Sequence, residues 1–158
     1  MSLALTLLVQ WLHILSGVIW FGGYVLIDFA LWPALLRRPT TEARATLAAL
    51  EKYIGPLMAA SGSLVVLLGI VRGTVLGPIK SLDALLGTAY GLTWLTALVI
   101  ALFLTIWGAR WHDRAVGPIW EGDQVRSGAA ARLRTATIIE MTCFGAILVC
   151  MVLMGAGL

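Results

Sequence analysis

Four long stretches of the chain are almost unbroken in apolar residues, and the polar residues gather between them. The first stretch runs from Leu3 to Leu36, the second from Tyr53 to Leu76, the third from Leu85 to Trp111 and the fourth from Ala130 to Met154. About 20 apolar residues in a helix cross a bilayer core of about 30 Å. Backbone N–H and C=O groups in lipid must bond within their own segment, so each stretch is expected to be a helix. The pattern therefore predicts an all-α, integral membrane four-helix bundle, one transmembrane domain over residues 1–158. Pro56 is expected in the first turn of the second span, where its missing N–H costs no helical bond. Ahead of that span, "PTTEARATLAALEKY" predicts a short amphipathic helix from Thr40 or Thr41, lying at the membrane surface. The turn-rich "DRAVGPIWEGDQVRSG" before the fourth span predicts an irregular loop.

Composition supports the same class. The chain is 60% hydrophobic and only 12% charged, with a mean hydropathy of +0.95. Soluble domains are about a quarter charged. The lipid bilayer is thus the expected partner, and a net charge of +3 gives no reason to expect nucleic acid. The first apolar run has no basic residue ahead of it and is too long for a signal core, so it is expected to stay as a span. Charge placement then orients the bundle. Nine of the eleven basic residues lie in, or at the span ends next to, the loops joining spans one to two and three to four; only Arg72 and Lys80 lie at the other end. The richer side is expected to be cytoplasmic, which puts both termini on the outer side, periplasmic or extracellular.

The first span carries polar groups that lipid alone would not call for. Residues three, four, seven and eleven apart share a helical face. From His13 that face holds Ser16, Gly17, Trp20 and Tyr24, with Asp28 on its flank. Facing the stripe inward avoids the cost of setting polar groups against acyl chains. The third span lines up Trp94, Ala97, Leu98, Ala101, Thr105, Gly108 and His112, and the fourth lines up Glu140, Phe144, Ile147, Met151 and Met154. The second aligns Ser61, Val65, Leu68, Gly69 and Arg72. Depth sorts these groups into two layers. His13 and Arg72 belong to the outer half, and Asp28, Arg110, His112 and Glu140 to the cytoplasmic half. In the inner layer Arg110 is the expected partner of the buried carboxylates Asp28 and Glu140.

Three chemistries suit such an interior. A neutral imidazole is a common axial ligand of heme, and arginine pairs with propionates. Heme b would then be held by His13, with Arg72 on a propionate, Lys80 as a second candidate partner for it, and Trp20, Tyr24 and Trp94 packed against the ring. Both axial positions cannot come from the two histidines of one chain: His13 is roughly 15 Å and His112 roughly 38 Å below the outer end. Copper is the alternative, since Cys143, Cys150 and Met154 share a face and soft sulfur suits Cu(I). Plain packing competes with this, because Cys and Met also fill apolar space. A lone histidine in a span also serves simply to bond a backbone carbonyl of the next helix. The third reading is a structural accessory subunit of a larger membrane complex, and a homo-oligomer is equally compatible. No phosphate loop, nucleophile elbow or His-Glu-x-x-His motif is present in the sequence.

The run "HILSGVIWFGG", with His13, Trp20 and Gly22, resembles the first span of the copper-resistance D (CopD) family and of HemJ-type protoporphyrinogen oxidases. "RLRTATIIEMTCFGAIL", with Glu140 after a basic start, is similar to their last span. The resemblance implies a small four-helix protein of the bacterial inner membrane. It also implies heme b on His13 for the HemJ-type relatives, or copper movement for the CopD type. In HemJ-type proteins a lysine follows a tryptophan of the third span. The matching run "TWLTALVIAL" has Ala97 and Leu98 there, so the lysine that porphyrinogen oxidation implies is absent.

Overall fold

A computed structural model describes residues 3–158 and is 81% helical. Four helical segments are long and apolar enough to cross a membrane: Leu3–Leu35, Thr40–Gly73, Ala89–Arg110 and Ala129–Gly155. This is the architecture of a multi-pass membrane protein. Large apolar side chains such as Leu7, Val18, Phe29, Val99 and Val152 are exposed along the helices. Lipid, not water, suits such a surface.

The first segment is helix α1 (Leu3–Leu26), a π-helical turn (Ile27–Leu31) and helix α2 (Trp32–Leu35). The wide turn has a local cause. Pro33 has no N–H, and its ring would crowd the carbonyl four residues back. The chain instead closes a longer loop, with the Trp32 N–H on the Ile27 carbonyl. Helix α3 spans Thr40–Gly73 without a break. The expected surface helix is thus the first half of the second span's own helix, and Pro56 sits in its interior, not in its first turn. Only one helical hydrogen bond is lost at Pro56, while Ala, Leu, Glu, Arg and Lys around it favour helix.

A short helix α4 (Leu82–Leu86) precedes α5 (Ala89–Ile106), so the third span begins a few residues later than expected. Ser81 and Thr88 cap these two helices, each hydroxyl accepting a backbone N–H three residues on. Lys80, a candidate propionate partner, donates to the Thr74 and Val75 carbonyls at the end of α3. It completes a helix terminus and does not line the cavity described below. A second π-helical turn (Trp107–Trp111) leads into α6 (His112–Val116).

The loop expected to be irregular holds a two-stranded antiparallel hairpin, β1 (Trp120–Glu121) and β2 (Gln124–Val125). Gly122 adopts φ +57 at the first position of its two-residue turn, a conformation that favours glycine there. Thr40 donates to the Asp123 carbonyl at 2.8 Å, and Trp120 packs against Trp32. The hairpin therefore ties the start of α3 to the approach of α7 (Ala129–Gly155). Ile119, Ala129, Leu133 and Ala136 form a small core beneath it.

Neighbouring helices run antiparallel. As numbers rise along α1 they fall along α3: His13 meets Gly69, Gly17 meets Val65, Trp20 meets Gly62 and Gly23 meets Met58. The start of α1 at Leu3 and the end of α7 at Gly155 thus lie at one end of the bundle, and the hairpin lies at the other. The buried residues of α1 and its π turn are Ser16, Trp20, Tyr24 and Asp28, on the face that the spacing predicts.

Candidate functional site

The interior carries two separate polar regions divided by an aromatic layer. At the terminal end a cavity of about 490 Å³ is lined by all four long helices. His13, Trp20, Arg72, Trp94 and Met154 are on its wall, and most of the remaining lining is aliphatic or aromatic. That volume is within the roughly 300–1,000 Å³ of small-molecule sites.

Each polar group on this wall has a structural reason for its position. The His13 ring faces the Val65 carbonyl, and its Nδ1 is buried without a hydrogen-bond partner. A carbonyl only accepts, so it favours the tautomer that turns an N–H toward it. The other ring nitrogen then keeps a lone pair. Gly69 makes room for this ring, since a Cβ there would be 3.2 Å from His13 Cε1. Arg72 donates through Nε to Gln10 Oε1 at 2.8 Å. Gln10 is a site residue that the face count from His13 did not include, although it lies three positions before it on the same face. Trp94 donates through Nε1 to the Gly69 carbonyl at 3.2 Å and lies over Gly73.

Tyr24, expected to pack against a bound ring, is not on the cavity wall. Its ring lies in the dividing layer, 5.3 Å from Phe144 and 6.4 Å from Trp20 between centroids, and its hydroxyl end reaches Gly108. Cys143 and Cys150 also lie off the wall, so Met154 alone of the three candidate sulfur ligands faces the cavity. Among the described residues, no group of three or more His, Cys, Asp or Glu side chains is arranged to hold a metal ion.

The second region is at the hairpin end. Glu140, on α7, is 0% exposed. Its Oε1 accepts from Trp107 Nε1 at 2.8 Å and lies 2.9 Å from His112 Nδ1. Asp28, on the first π turn, is 8% exposed and within hydrogen-bonding reach of Glu140 and of the Thr137 hydroxyl. Arg110 is not a member of this cluster. It is exposed, and the neighbours of Glu140 are His112 and Trp107. Arg110 shares a depth with the carboxylates but lies between Gly108 and His112 in the chain and off the face that those two residues share. His112 is correspondingly remote from His13 and no ligand partner for it.

His112 titrates against two opposed influences. Burial lowers its pKa, and the hydrogen bond and negative charge of Glu140 outweigh that and hold it above 6.5. A histidine raised on folding stabilises the fold fully below its unfolded value, and that contribution fades as pH rises through the raised value. Thermal unfolding in detergent is thus expected to fall above pH 6.5. The slope should be shallower in His112→Gln; an equal slope in both proteins would place the effect elsewhere.

Set against family models, curated proteins and solved structures, the chain finds no match.

Proposed function

We propose that this chain is a bacterial inner-membrane protein that binds heme b in its terminal-end cavity and serves electron transfer or heme handling. The carrying observation is an imidazole with an unpartnered buried nitrogen on the wall of a largely apolar cavity that also holds an arginine. His13 would be the axial ligand. Contact of its ring with the Val65 carbonyl is the outer-shell arrangement that orients metal-bound histidines. Arg72 would bind a propionate; Gln10 occupies its Nε and leaves the terminal amino groups for an anion. Trp20 and Trp94 offer apolar faces for a flat macrocycle, and Met151 and Met154 add polarizable surface. When bound, heme supplies one-electron chemistry, and the protein's share is to hold it, tune it and keep water away. The excess of basic residues toward the hairpin end supports a cytoplasmic hairpin end and a cavity on the outer side.

The test is the visible spectrum of the full chain purified from cells supplied with heme. A Soret band is expected, with His13→Ala losing most of it. Arg72→Leu should keep the band at saturation but bind heme about tenfold more weakly, the loss of one charge-assisted contact. No Soret band in the parent protein, or a full band in His13→Ala, would end the proposal.

A further inference from the structure

The cluster at the hairpin end has an unusual imbalance of donors and acceptors. The chain has eight acidic residues. Six of them (Glu42, Glu51, Asp83, Asp113, Glu121 and Asp123) are exposed. Asp28 and Glu140 are the buried exceptions, and they are within hydrogen-bonding reach of each other. The Trp107 N–H donates to Glu140 Oε1, and His112 Nδ1 lies against the same oxygen. Glu140 Oε2 and Asp28 Oδ2 are buried without a donor. Ionised carboxylates only accept hydrogen bonds, so two of them side by side in an apolar interior lack something between them. Arg110 does not supply a charge, and among the described residues the ligand grouping for a metal ion is absent. A proton shared between the two carboxyl groups satisfies both of them, with the Thr137 hydroxyl as a further donor within reach of Asp28.

We propose that Asp28 and Glu140 hold one proton between them at neutral pH, and that His112 exchanges it with water at the hairpin end. The titratable groups facing the pair are Tyr24 from α1, His112 and the adjacent Asp113 from α6, and Cys143 from α7. Of these His112 has the geometry of a port. Its Nδ1 is 2.9 Å from Glu140 Oε1 and its side chain is 19% exposed. The transfer balances without a co-reactant. Protonated His112 gives its Nδ1 proton to Glu140 Oε1 while Nε2 keeps its own, which leaves a neutral imidazole and a carboxylic acid. A half-turn of the ring then carries the vacated nitrogen from Glu140 to the water side, where it takes a proton from a hydronium ion and releases water. Running backward, the same steps discharge the pair. The site is one aromatic layer from the cavity, because Tyr24 contacts Trp20 and Phe144, and both of these line it. Proton loading is independent of what the cavity holds.

Infrared spectroscopy of the full chain in an ester-free detergent reads this directly. A protonated carboxyl carbonyl band is expected at pH 7, shifting in D2O, and its only buried sources are these two residues. Asp28→Asn and Glu140→Gln should each remove the band. His112→Gln should keep it but slow its hydrogen–deuterium exchange at least tenfold. No such band in the parent protein overturns the proposal with no variant needed, as does a band that survives in both carboxyl variants. Exchange as fast in His112→Gln as in the parent removes His112 from the path. Because no heme enters the measurement, its failure and that of the heme reading are separately visible.

Discussion

Replacing Glu140 by Leu is expected to destabilise the bundle by about 3–5 kcal/mol, the cost of deleting one partner of a buried polar group and stranding the rest. In thermal unfolding this is a fall on the order of 10 °C for a chain of this size. The side chain is wholly buried, and two donors converge on it from the other side of the α5–α7 contact. Leucine fills similar space but accepts nothing, so the Trp107 N–H and the His112 ring keep their desolvation without a partner. Glu140→Gln should cost much less: its amide oxygen still accepts, and its NH2 can donate to Asp28. A second comparison separates stranded donors from lost packing. Combining Glu140→Leu with Trp107→Phe and His112→Phe should recover a good part of the loss, because apolar replacement of a whole buried network is often close to neutral. A Glu140→Leu protein that melts with the parent would mean that the cluster does not hold α5 and α7 together.

Much of this arrangement is legible in the sequence, and each exception has its own physical cause. Every fourth residue from Ser16 to Asp28 is buried, which simple helical spacing predicts. The same count puts His112 on the interior face, and it does reach Glu140. What spacing cannot show is a change of pitch. No periodicity marks the π turns at Ile27–Leu31 and Trp107–Trp111, and Arg110 shares only a depth with the carboxylates, off the face that carries Gly108 and His112. The start of α3 escaped for a different reason. Hydropathy marks where lipid begins and not where the helix begins, and residues 40–52 are polar but helix-forming. The Gly122–Asp123 turn between Trp120 and Val125 is a recognisable hairpin signal that the surrounding turn residues obscure. Gly22, the glycine that the pattern His13, Trp20, Gly22 singles out, would have no neighbour within 4 Å of a Cβ, whereas the next residue, Gly23, packs directly against Met58. A motif glycine and a packing glycine can thus be adjacent, and only the structure tells them apart.

That distinction gives the second large effect. Gly73→Ala is expected to lower stability by about 1–3 kcal/mol, as overpacking does, while Gly145→Ala raises it by about 0.5–1 kcal/mol. Both glycines lie in long helices with ordinary backbone angles, so the added methyl brings the same entropic gain in kind. Their surroundings decide the sign. A Cβ at Gly145 meets nothing within 4 Å, and the residue is exposed. At Gly73 it would overlap the Trp94 indole at Nε1 and Cε2. A flexible side chain could swing aside, but Trp94 is rigid, and its Nε1 is bonded to the Gly69 carbonyl on the same helix. Displacing it breaks that bond and moves a wall of the cavity. At Gly73 the clash outweighs the gain, since the residue ends α3 and the helical advantage of alanine is smallest at a terminus. The two proteins should therefore unfold on opposite sides of the parent in one thermal series. Gly73→Ala should also change heme loading, which Gly145→Ala should leave alone. If both variants shift together, the glycine at the end of α3 is not what lets Trp94 close that wall.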